Sequence, residues 1–181
     1  MKKSMKISLC GILAALSIVI MFLAGIVPTM TIALPALAGC MLIPVTAECG
    51  TKYGLTVYAV VTVLGFFLVS DREAWLMYLL FFGYFPAIYG VFDKKFKNKK
   101  VKFLVKIIVF TIATILEGLL ATYILGIPLD SMGNLGKWSV IILIALAEIM
   151  FVVYDKCINN LIVLYFVKFR KVLMRLLNGR M

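Results

Sequence analysis

The chain has 181 residues, 64% of them hydrophobic and only 15% charged, with a net charge of +11. A soluble domain is about half apolar and about a quarter charged, and a domain of this size leaves too much surface in water to hide the remainder, so a soluble globular fold is excluded and lipid becomes the natural solvent. The basic excess lies in the gaps between apolar runs and at the two ends, which argues against nucleic acid and for membrane topology with anionic lipid headgroups as partners.

Taken in chain order, the opening MKKSMK and the apolar stretch after it superficially resemble a signal peptide. That stretch runs from Ile7 to Val27, long enough to span, and reaches VPT without a small-x-small cleavage site, so it reads as a retained first helix. Six stretches meet the requirement of about 20 mostly apolar residues: 7–27, 31–49, 54–70, 74–92, 103–126 and 138–167. Together they make one transmembrane domain over 1–181, an all-α bundle of six helices. Pro28-Thr29-Met30 is a tight first connection, and PLDSMGNLGK over 128–137 is the one loop with several turn-forming residues. Pro35 and Pro44 in the second span and Pro86 in the fourth each remove a backbone hydrogen bond and predict a bend, either a packing kink or local unwinding beside a cavity. The sixth span exceeds the bilayer and must tilt or continue as a basic interfacial helix.

Charge sets the orientation. With the amino terminus inside, 17 of the 19 lysines and arginines fall on the inner side, and only Arg72 and Lys137 fall outside. Both termini are therefore expected in the cytoplasm and the protein in the cell membrane. Trp75 and Trp138 then mark outer helix ends, where aromatic belts form.

Cys10, Cys40, Cys49 and Cys157 are scattered, and the chain has no histidine. Neither a disulfide framework nor a zinc site is expected, and no metal or other cofactor is implied. Without histidine, and without a GxSxG, Walker A or HExxH pattern, the chain does not read as an enzyme and has no catalytic residues to name. The sharper signal is acid within the spans, which costs several kcal/mol unless paired or hydrated. Counted from Gly126 and Trp138, Glu117 and Glu148 lie roughly 14 Å and roughly 15 Å below the outer surface at 1.5 Å per residue, and so at one depth. Two carboxylates there call for a shared proton or an intervening cation or amine; hydrogen bonding of each to a neighbouring helix is the plainer alternative. An outer rim of Asp71, Arg72, Glu73, Trp75 and Tyr78, with Asp130, Ser131, Asn134, Tyr123 and Trp138, suits the mouth of a small-solute pocket or, equally, a solvated loop with interfacial aromatics. The ligand-binding candidates are thus Glu117, Glu148, Asp71, Tyr78, Tyr123 and Trp138. Gly11 and Ala15 form a small-xxx-small pair on the first helix, with Ala14 beside them.

Six spans, inner termini and this small-residue face resemble the substrate-binding S components of energy-coupling factor transporters. The resemblance covers the whole chain in architecture. It implies a non-enzymatic subunit that captures a vitamin-like solute from outside and works with a transmembrane coupling subunit and two ATPases; Glu117 and Glu148 would suit a cationic or amine-bearing one. It implies that Gly11, Ala14 and Ala15 meet the coupling subunit and that the ligand sits on the outer side. The chain departs from the family pattern in having glycine first in the small-residue motif and a very short first outer loop. A stand-alone proton-coupled carrier using Glu117 and Glu148, or a membrane scaffold whose basic loops recruit a partner, are the alternatives.

Overall fold

The computed structural model describes residues 3–95, 98–125 and 137–170. They are helical throughout, with no strand among them. α1 spans Lys3–Ala24, α2 Ala33–Cys40, α3 Leu42–Cys49, α4 Thr51–Leu68, α5 Arg72–Met77, α6 Tyr84–Lys95, α7 Lys99–Leu125 and α8 Lys137–Leu164. Single π-turns extend α5 (Tyr78–Phe82) and α8 (Tyr165–Phe169). Among the described residues five helical stretches are long and apolar enough to cross a membrane, and Ala33–Cys49 is a shorter apolar one. Their outward faces carry large apolar side chains, such as Ile12, Leu16, Val19 and Leu23 on α1 and Ile108, Ile112, Ile115 and Leu119 on α7. Exposed apolar rows of that length belong against lipid, and the chain is an all-helical membrane protein.

The expected second span is broken. Pro44 has no N–H to offer the carbonyl of Cys40, four residues back, and its ring crowds that carbonyl. The chain stops α2 at Cys40, turns once through Met41, and restarts as α3. Pro35 does no such damage because it sits in the first turn of α2, where the amide has no helical acceptor. Pro86 lies inside α6, which resumes after the π-turn. The turn between α1 and α2 is a single 3-10 turn over Pro28–Met30, and only Gly50, at φ +98°, separates α3 from α4. That backbone angle favours glycine.

The chain forms two compact units, one within Met1–Val91 and Lys156–Met181, the other within Phe92–Asp155. In the first, small residues let helices approach closely. Ser17 is fully buried, and its hydroxyl bridges Leu13 O in its own helix (2.9 Å) and Ala38 O in α2 (3.1 Å). Ala14, Met21, Ala38, Leu42, Val45, Val57, Val61 and Tyr78 form the core around it. Trp75, expected as a belt residue, donates its indole N–H to Thr62 O on α4 at 2.9 Å and packs over Gly65.

The first π-turn creates a close approach in this unit. It carries the Gly83 amide back to Tyr78 O (2.8 Å) and leaves Gly83 against two rings. A Cβ there would lie 2.6 Å from Tyr58 Cδ2 and 2.8 Å from Tyr78 Cε1. Tyr58 has little room to yield, because its hydroxyl is tied to Leu79 O at 2.8 Å. Gly83→Ala is therefore expected to cost about 1–3 kcal/mol, read as a lowered melting temperature of the detergent-purified protein, whereas Gly90→Ala, inside α6 where a Cβ meets nothing within 4 Å, is expected to raise it slightly through the better helix propensity of alanine.

Candidate functional site

The polar residues of the second unit lie along the seam between α7 and α8. Lys106, Phe110 and Glu117 recur at near-helical spacing and share one face of α7, as do Glu148, Phe151 and Asp155 on α8. Lys106 Nζ meets Asp155 Oδ1 at 2.6 Å, with the two side chains only 2% and 17% exposed. One turn along, Phe110 stacks on Phe151 with ring centroids 4.3 Å apart. Beside that stack, Thr111 Oγ1 lies 2.5 Å from Glu148 Oε1.

These three contacts set a register that differs from the expected one. Glu148 is level with Thr111, and Glu117 is six residues further along α7, about 9 Å along its axis. The two glutamates therefore do not share a depth. The expectation assumed that the apolar runs end level with one another. Instead α8 is offset against α7 so that buried Lys106 meets Asp155, because an unpaired buried charge costs more than uneven helix ends.

The hydrogen-bond inventory at Glu148 is incomplete. Thr111 has one hydroxyl proton and two acceptors in reach, Ile107 O at 3.0 Å and Glu148 Oε1 at 2.5 Å. If the proton goes to Ile107, the short contact needs a proton supplied by the carboxyl group. If it goes to Glu148, the carboxylate still holds Oε2, a buried oxygen with no partner among the described residues. In the first arrangement Oε2 still lacks a donor, and in the second the carboxylate can take up a proton, a cation or an amine.

The other expected site residues are placed as follows. Asp71 caps α5, its Oδ1 accepting from the amides of Glu73 (3.0 Å) and Ala74 (3.1 Å), which is a local structural use. Arg72 beside it donates to Phe66 O at the end of α4. Tyr78 is fully buried at the start of the π-turn, and its hydroxyl has no partner among the described residues. Tyr123 is 85% exposed on α7, and Trp138 is the second residue of α8. Asp130, Ser131 and Asn134 lie outside the described residues. Asp71 and Tyr78 belong to the first unit, and Glu117, Tyr123, Trp138 and Glu148 to the second. On α1, Gly11 and Ala15 are exposed, while Ala14 turns inward and packs in the core. Ala14 therefore does not share the open face proposed for a partner.

Sequence reasoning missed three features. Lys106 counts among the inner basic residues in the sequence and Asp155 draws no notice there, although both sit within apolar stretches. Glu48, at the end of the expected span 31–49, lies near the end of α3 with its side chain almost buried, accepting from Tyr165 Oη (3.2 Å) and Arg170 Nε (2.8 Å). A cavity of about 410 Å³ lies in the first unit, lined by Leu13, Leu37, Cys40, Met41, Ile43, Pro44, Leu161, Leu164, Tyr165 and Phe169. None of the six expected ligand residues lines it.

Among the described residues, no group of three or more potential ligand side chains is placed to hold a metal ion. Comparison with protein-family models, with curated proteins and with solved structures returns no significant match to this chain.

The Lys106–Asp155 pair makes a double-mutant prediction. Lys106→Met or Asp155→Leu alone strands a buried charge and is expected to cost about 3–5 kcal/mol, whereas the double substitution restores most of the loss. Thermal unfolding of the four proteins in one detergent checks this, and equal losses in the single and double variants would refute it.

Proposed function

We propose that the chain is a six-span protein of the cell membrane with both termini in the cytoplasm, and that it is the membrane-embedded subunit that binds a small micronutrient for uptake by an energy-coupling factor type transporter. The 17-to-2 distribution of basic residues supports the orientation. The observation that carries a solute-handling role is Glu148, an acid with a buried, donor-less oxygen on a helix that is otherwise apolar enough to cross lipid. A solute with a cationic or amine group supplies the missing donor. The open Gly11–Ala15 face on α1 supports docking of a coupling subunit, because two small residues one turn apart admit a partner helix closely. The ATPase subunits enter through that same resemblance.

The direct experiment is gentle purification of the tagged chain from native membranes, with mass spectrometry of bound small molecules and of co-purifying proteins. A retained amine-bearing solute, lost in Glu148→Gln, and co-purifying coupling and ATPase subunits, lost in Gly11→Leu with Ala15→Leu, are expected. Recovery of the chain alone, with no solute, would sink the proposal.

A second reading, a self-sufficient proton-coupled carrier, is favoured by the single Thr111 proton shared between two acceptors. It requires uptake by the lone chain in liposomes under a pH gradient. Uptake unchanged in Glu148→Gln would eliminate it.

A further inference from the structure

The apolar cavity of the first unit is unused by the proposed function. Its origin is the break in the second span: Pro44 interrupts the helix at Met41, and Cys40, Met41, Ile43 and Pro44 form one wall of the resulting groove. Leu13 of α1 contributes from a second side. Leu161, Leu164, Tyr165 and Phe169 recur at helical spacing and form the third. Its volume of about 410 Å³ falls within the range of ligand pockets. The groove is open at its edge, where Leu37 and Phe169 are 50% and 59% exposed.

One end of this groove is basic. The second π-turn widens the helix so that Tyr165 and Arg170, five residues apart, both reach Glu48 at the end of α3. Arg170 follows Phe169 directly and uses Nε on Glu48, and no other carboxylate engages it among the described residues. Lys168 is exposed one turn beyond Leu164. Lys6, at the start of α1, and Lys52, at the start of α4, lie toward the same end, Lys6 sitting over the Tyr53 ring. Glu48 is the one acid that a described ion pair places among them.

We propose that this groove binds one anionic phospholipid, with an acyl chain lying along Leu13, Met41, Leu161 and Leu164 and the phosphate at Lys168 and Arg170. An apolar trough within the membrane that ends among surplus cations matches both parts of such a lipid, whereas a partner's apolar helix would leave the cations unanswered. Anionic lipid is concentrated on the cytoplasmic leaflet, so the site agrees with the orientation given above. It depends on the membrane-spanning reading alone and not on transport or on Glu148.

The test uses the full chain in nanodiscs of phosphatidylcholine and phosphatidylglycerol in equal parts, released into native mass spectrometry. One phosphatidylglycerol is expected to remain bound in preference to phosphatidylcholine. Lys168→Gln should weaken that preference about fivefold, the effect of one cation near a membrane surface. Leu164→Trp, which fills the groove without changing charge, should remove the bound lipid. Leu37→Trp at the opposite edge repeats the test should the first variant fail to fold. Equal retention of the two lipids by the unaltered chain would overturn the proposal. So would full retention in the folded tryptophan variants, or cross-linking of a photoreactive side chain at Leu37 to a polypeptide in native membranes. Binding of solute lost in Glu148→Gln, with lipid retention unchanged, keeps this result separate from that of the proposed function.

Discussion

In lipid there is no water to satisfy a polar group, so each one must find its partner inside the protein. Much of this structure follows from that constraint. The threonines at 46, 56, 111, 114 and 122 all return their hydroxyls to carbonyls in the preceding turn of their own helix. Ser17 does the same and also reaches across to α2, which turns a local obligation into a tertiary contact. Lys106 cannot satisfy itself locally, and its need for Asp155 sets the register of α7 against α8. The register in turn decides what Glu148 meets. Where no partner is found among the described residues, at Thr62 Oγ1, Tyr78 Oη and Glu148 Oε2, the structure holds its most informative atoms.

Much of the helical architecture was legible in the chain because an apolar run long enough to cross lipid needs no knowledge of its neighbours. α1, α4, α7 and α8 fall on such runs. The break at Met41 was also legible in principle, since Pro44 acts on the carbonyl four residues before it. What could not be read was the offset between helices. Glu117 and Glu148 were placed at one depth by counting from loop ends, but helix ends are free to overhang, and a buried ion pair outweighs their alignment. Asp71 was legible and misread: an aspartate just before a helix is first a cap, and that is the use it has here.

The candidate site is more compact than the sequence suggested. The expected set drew its six residues from three spans and the break before the fourth. The geometry supports a short seam of Thr111 and Glu148 flanked by an aromatic stack and an ion pair. The stack separates a neutralised charge pair from the acid with a spare oxygen. A neutral layer between them limits how far the lysine can serve as counter-charge to Glu148, and leaves that oxygen available to an outside donor.

The two π-turns have a consequence for how the chain divides its helix faces. Each adds one residue to a turn that would otherwise be α-helical, and one residue is about 100° of rotation. Arg170, which follows the turn at Tyr165, therefore lies on a different side of the helix than an uninterrupted α-helical stripe would dictate, and that is the side of Glu48. The extra residue thus couples charge to packing, because the same turn that delivers Arg170 to Glu48 also brings the buried Tyr165 hydroxyl there.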